Sequence, residues 1–218
     1  MSSVSALGRN EDLKPADEEK KWMGTGNQSN YGISKYFGEM EVWRGMGEGL
    51  STLIINPSTL LGYGDWNESS CGLFKTAYHE FPWYMNGKNG FADVQDVARA
   101  TIALIDSGIR NERFIISAEN RSYRELFNMM AKYFGKKQPS KKAGPFLAGL
   151  AWRMEKIKSV FSKNKPLIIY ETVRIASQQS LYNNQKLLQA LPDFHFRPLE
   201  DSIFEACRKY AERLTRNA

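Results

Sequence analysis

A tyrosine and a lysine four residues apart, Tyr31-Gly-Ile-Ser-Lys35, open a stretch with the apolar spacing of a helix, and a serine pair stands far upstream at Ser2-Ser3. On a helix, residues four apart lie on one face within side-chain reach of each other. An ammonium beside a phenol favours the phenolate, so such a pair is a device for giving and taking a proton. The spacing alone is common, and an aromatic–lysine pair on a helix ordinarily means packing plus a solvated charge. Three companions in a fixed order give it weight. Ser3-Val-Ser-Ala-Leu-Gly8 precedes it. A β-branched run, Leu53-Ile-Ile, follows and ends in Asn56-Pro57-Ser58-Thr-Leu-Leu-Gly62. Beyond that, Gly90-Phe-Ala-Asp93-Val-Gln-Asp96-Val-Ala98 leads into another apolar-periodic helix.

The ordered set resembles the extended short-chain dehydrogenase/reductase family: the NAD(P)-dependent epimerases, dehydratases and dihydroflavonol-reductase-like carbonyl reductases. The motifs run from Ser2 to about Ile116 and continue more loosely through Arg113-Phe-Ile-Ile-Ser117 and Leu191-Pro-Asp-Phe-His-Phe-Arg-Pro-Leu199. The resemblance implies a role for each residue. Tyr31 would be the general acid/base at the substrate oxygen. Tyr31 and Lys35 would both contact the cofactor, and Lys35 would also favour the ionised form of Tyr31 and hydrogen-bond the nicotinamide ribose. Ser3, aligned by its spacing to Gly8, would hydrogen-bond the substrate oxygen, and Ser5 would touch substrate. Asn56, Pro57 and Ser58 would flank the nicotinamide of NAD or NADP, partly through backbone groups. The implied reaction is reduction or oxidation of a carbonyl or alcohol on a small or apolar molecule. Two alternatives stay open: an epimerase or dehydratase of a nucleotide sugar, and a catalytically inactive remnant acting as a binding or association module. Each residue also has a blander role. Ser2-Ser3 would then be an unstructured end, and Asn56-Pro57 an ordinary strand-ending turn. Asp93 and Asp96 read as helix-entry and scaffold residues.

One element of the family pattern is missing. Its members carry a Gly-x-x-Gly-x-x-Gly turn between a strand and a helix, where backbone N–H groups and the helix dipole receive the pyrophosphate. This sequence has none. Its nearest glycine cluster, Gly45-Met-Gly47-Glu-Gly49, follows a helix and precedes a strand, and reads as a helix stop. The expectation is a chain matching the C-terminal two-thirds of such an enzyme, beginning at the end of the serine-bearing strand. Its retained parallel strands would lack neighbours, so a homo-oligomer or a complementing N-terminal half is expected at the open edge.

The remaining segments supply the elements that position these groups. Residues 9–28 are polar, with one proline and two glycines, and read as a loop over the site. A helix is expected over 30–45 with Ile33, Phe37, Met40, Val42 and Trp43 inward, then a strand over 51–56. A helix over 71–80, extended pieces at 83–85 and 91–94, and a helix ending near Gly108 follow. Next come a strand over 113–117 and a helix over 122–134, whose Ser122-Tyr-Arg-Glu125 has the capping-box pattern. A final amphipathic helix covers 199–214. Strands alternating with helices imply a parallel α/β layer. The fold class is therefore α/β: a partial Rossmann-type parallel sheet, its N-terminal half missing, with a mostly helical substrate subdomain. The expected division is 1–117, carrying the Tyr-x-x-x-Lys pair, and 118–218.

The composition is that of a soluble globular chain. Two cysteines, Cys71 and Cys207, and two histidines, His79 and His195, show no metal spacing, so no metal site is expected. Absence of a disulfide framework makes the cytoplasm the expected compartment. The net charge of +6 is concentrated between Lys136 and Lys165, where Glu155 is the sole acid. There Phe146, Leu147, Leu150, Met154, Ile157 and Phe161 share one helical face. A packed helix with solvated lysines is the plainer expectation. A helix at 145–162 lying on an anionic membrane surface is the sharper one. No nucleic-acid motif accompanies the charge, and none is expected to bind.

Overall fold

The computed structural model describes residues 1–7, 14–20, 22, 29–143 and 178–216. The segment expected to lie on a membrane, 145–162, falls outside them, as does most of the 9–28 loop. The described chain is an α/β structure of short parallel sheets covered by helices. Strand β1 (Leu53–Pro57) runs parallel to β5 (Glu112–Ile116), with Ile55 opposite Phe114 and Pro57 opposite Ile116. A three-stranded sheet has the order β2 (Thr59–Leu61), β4 (Lys88–Asp93), β6 (Glu119–Ser122), the first pair parallel and the second antiparallel. A short parallel ribbon joins β3 (Trp83–Tyr84) to β7 (Lys141–Lys142). Strands β2 and β6 escape a pattern reading because three residues, or four that are all polar, give no apolar alternation to detect.

The helices are α1 (Asn30–Gly47), α2 (Gly72–Tyr78), α3 (Val94–Asp106), α4 (Tyr123–Phe134), α5 (Gln185–Ala190) and α6 (Leu199–Arg216). Local chemistry sets their ends. Ser29 caps α1 by accepting the Gly32 N–H at 3.0 Å, and beyond its last turn Gly49 takes φ +96°. Asp93 caps α3 by accepting the Gln95 N–H at 2.6 Å. Ser122 and Glu125 form the expected capping box, and Gly135 closes α4 at φ +64°.

Strand alternation sends side chains of β1 and β5 to two faces. Ile55, Phe114 and Ile116 join Val97, Ala100 and Leu104 of α3 and Leu187 of α5 in one apolar cluster. On the opposite face Ile115 packs with Val4, Leu7, Ala16 and Tyr182. A third cluster takes Leu61, Phe74 and Phe91 together with Tyr123, Leu126 and Met130 of α4 and Leu199, Ile203 and Tyr210 of α6. The segment that leads into α6 is tied to α3 through Asp96, whose buried carboxylate accepts from the Arg99 side chain and from the Arg197 N–H at 2.8 Å.

The expected inward face of α1 is corrected by the structure. Phe37 is 63% exposed and Ile33 36% exposed, while Met40, Val42 and Trp43 are half-buried. The residues α1 buries are Gly32 and Glu39. A glycine is buried because its first turn lies directly on another backbone. A glutamate is buried because a cation meets it.

Candidate active site

The N-terminal serines and the tyrosine–lysine helix meet through backbone. Residues Val4–Ala6 form one 3-10 turn capped by Ser3, whose hydroxyl oxygen accepts the Ser5 N–H at 3.2 Å. This turn rests on the start of α1 so closely that a Cβ at position 32 would lie 2.8 Å from the Ser5 carbonyl oxygen and 3.4 Å from Ser29 Oγ. The glycine inside Tyr31-Gly-Ile-Ser-Lys35 is therefore a requirement of the approach. On the same turn the Lys35 ammonium sits 5.6 Å from the Tyr31 ring centroid, and Tyr31 is 55% exposed. Among the described residues, the Tyr31 hydroxyl and the Lys35 ammonium make no hydrogen bond.

Asn56 joins this pair of turns to the sheet. The residue is fully buried at the C-terminal end of β1. One side-chain N–H donates to the Ser3 carbonyl oxygen and the other to Glu39 Oε2, both at 2.9 Å. Ser2 also donates its N–H to the Ile55 carbonyl oxygen at 2.7 Å, along the edge of β1 that faces away from β5. Pro57 and Ser58 are buried just beyond, with the Ser58 N–H donating to the Ile116 carbonyl oxygen at 3.0 Å. Thus Ser3, Ser5, Asn56 and the first turns of α1 occupy one region at the carboxyl ends of β1 and β5. Open α/β sheets bind ligands at that end. Asp93 and Asp96 serve as cap and anchor for α3, as their positions suggested.

Several buried polar atoms in this region have no partner among the described residues: Ser2 Oγ, Asn56 Oδ1, Ser58 Oγ and Ser117 Oγ. Ser58 and Ser117 stand around Gly90, where an added Cβ would meet Ser117 Oγ, lie 2.7 Å from the Tyr182 ring and 3.1 Å from Ser58 Cβ. Buried hydroxyl and amide oxygens are ordinarily satisfied, and a set of orphans at a strand end suits a polar ligand. The residues present therefore fit a nicotinamide ribose and its carboxamide.

Three charged residues of the region have no role assigned from the sequence. Glu39 Oε1 accepts from Arg113 at 2.8 Å and from the Trp43 indole N–H at 3.4 Å. Arg113 reaches on to the Glu18 backbone carbonyl, and the Glu18 carboxylate accepts the Ile115 N–H at 2.8 Å. Burial pushes the Glu18 carboxyl above its usual value, opposed by the Ile115 N–H and by Lys186. The available signal was slight: Glu39 lies four residues after Lys35 on one helical face, and Arg113 interrupts an apolar strand.

Residues 1–117 match the NAD dependent epimerase/dehydratase family. The chain belongs to that family. A curated protein of Synechocystis sp. that carries the name of a dihydroflavonol 4-reductase is 27% identical over 202 residues, covering 87% of this chain and 57% of that protein. The crystal structure of gox2253 is 26% identical, with a TM-score of 0.77 over 97% of this chain and 65% of the other. The dTDP-glucose 4,6-dehydratase of Bacillus anthracis, solved in complex with NAD, superposes with a TM-score of 0.70 at 14% identity, covering 97% of this chain and 60% of its own. At that identity the likeness is one of Rossmann-type fold. Among the described residues no helix is long and apolar enough to cross a membrane, and no group of three or more metal-ligating side chains converges.

Proposed function

We propose that this chain carries the reaction site of an NAD(P)-dependent oxidoreductase that acts on the carbonyl or alcohol of a small or apolar molecule. The observation that supports this most is the contact of the Ser3–Ala6 turn with the first turn of α1, which puts the serines, Tyr31 and Lys35 at one strand end. The cofactor, when bound, supplies or accepts the hydride. In the reductive direction Tyr31 gives its hydroxyl proton to the substrate oxygen, and the Lys35 ammonium stabilises the phenolate left behind. The Ser3 hydroxyl oxygen already accepts the Ser5 N–H, so its own proton is the part left to donate to the substrate oxygen. Asn56, Ser58 and the Lys35 ammonium hold the nicotinamide side. Ser5 borders the substrate.

The preference for reduction over nucleotide-sugar chemistry rests on the relative named for dihydroflavonol 4-reductase. Because the chain spans 57% of that protein and has no glycine-rich turn, the reading assigns it the nicotinamide half of the dinucleotide. Titration by nicotinamide fluorescence tests this with two probes, NADH and reduced nicotinamide mononucleotide. Comparable affinity for the two is expected, weakened about tenfold by Lys35→Ala. Absence of binding by either probe, or indifference to Lys35→Ala, would overturn the reading.

A further inference from the structure

We infer that Glu39 is the positioning residue of the site: its buried carboxylate holds the serine turn and the tyrosine–lysine turn in one frame. This rests on the proposed function for its catalytic consequence, though not for its geometry. Glu39 lies one helical turn beyond Lys35, and its side chain is 1% exposed. One oxygen takes the Arg113 guanidinium of β5, whose side chain is 16% exposed. The other takes an N–H of Asn56 on β1, and the second N–H of the same amide takes the Ser3 carbonyl. A single carboxylate therefore links α1, both strands of the parallel pair and, through one intervening amide, the serine.

The direction of each bond gives the arrangement its specificity. An amide offers two donors and one acceptor oxygen. With Glu39 and the Ser3 carbonyl taking both donors, Asn56 must turn its Oδ1 away, and that oxygen has no partner among the described residues. Glu39 thus fixes the orientation of the buried Asn56 amide, and with it the Ser3 carbonyl that the amide holds. A buried ion pair adds little net stability over well-packed apolar groups of similar volume, so its contribution here is a defined geometry. The exposed apolar side of α1 supplies no such constraint, since Phe37 and Ile33 face outward.

The test compares Glu39→Ala, Glu39→Gln and, as a destabilising control in another core, Leu126→Ala. Amide hydrogen exchange is followed in 2–7 and 29–36, and hydride-transfer kinetics are measured on the full chain. Glu39→Ala is expected to speed exchange in both segments about tenfold while leaving α4 unchanged. Glu39→Gln, which keeps an acceptor for Asn56, gives a smaller rise in the same segments, and it carries the test if the alanine variant does not fold. Leu126→Ala leaves both segments unchanged. In kinetics, kcat falls and the KM for cofactor rises, because Asn56 and the Lys35 turn are loosened together. Exchange spread evenly over the chain, or a kcat equal to wild type with both segments loosened, would overturn the assignment. A wild-type chain that transfers no hydride would refute the proposed function instead, and the exchange pattern would still decide the frame.

Discussion

Helix α1 contains two glycines whose replacement should act in opposite directions. At Gly38 an added methyl meets nothing within 4 Å. Alanine there removes the backbone freedom of glycine and should stabilise by about 0.5–1 kcal/mol. At Gly32 the same methyl would come 2.8 Å from the Ser5 carbonyl oxygen, a backbone atom that cannot rotate aside. Reaching an ordinary contact of about 3.5 Å requires the serine turn to move by about 0.7 Å. Overpacking of that kind costs about 1–3 kcal/mol. After the helix-propensity gain, Gly32→Ala should destabilise by roughly 1 kcal/mol, a fall in Tm of about 2–4 °C for a chain of this size. The displacement also separates Ser3 and Ser5 from Tyr31, and a misplacement approaching 1 Å can cost about a hundredfold in rate. The assay is paired thermal unfolding of the two variants with hydride-transfer rates on each. If Gly32→Ala is as stable as Gly38→Ala and turns over like wild type, the close contact between the two turns is refuted.

Other outcomes follow from single observations. Gly90→Ala drives a methyl toward Ser117 Oγ and to 2.7 Å from the Tyr182 ring, and should destabilise by about 1–3 kcal/mol in urea unfolding. Tyr31→Phe removes the proposed proton donor and should slow hydride transfer at least about a hundredfold without changing NADH affinity. For Glu18, burial raises the carboxyl from 4.5, so the folded chain holds that proton more tightly than the unfolded one. Its contribution to stability is therefore present at low pH and is lost as pH rises from 4.5 through the raised value. Glu18→Gln keeps an acceptor for the Ile115 N–H, and wild type should lose stability relative to this variant across that window. Parallel urea midpoints for the two proteins would contradict it.

Most of the order of elements was legible in the sequence because the signals were local. Ser122 and Glu125 announce their helix by a reciprocal cap, and the run Arg113–Ile116 announces a strand by β-branching. The Tyr31–Lys35 pair was legible as a spacing, and the structure adds the close contact of its first turn with the serine turn. The inward face of α1 was not legible. Periodicity assigns apolar residues inward, whereas this helix is held by a glycine against a backbone and by a carboxylate against a guanidinium. Both depend on residues distant in sequence: Ser5 lies on one side and Arg113 on the other. The orphaned oxygens of Asn56, Ser58 and Ser117 likewise exist only once two parallel strands end side by side around Gly90.

The most direct measurement is transfer of label from 4-deuterated NADH or NADPH to a panel of dihydroflavonols and small aldehydes, read by mass spectrometry of the alcohol products. The account predicts deuterium in the product with the wild-type chain and its loss with Tyr31→Phe and Lys35→Ala. Unlabelled product at millimolar cofactor, or label that persists undiminished in both variants, would contradict it.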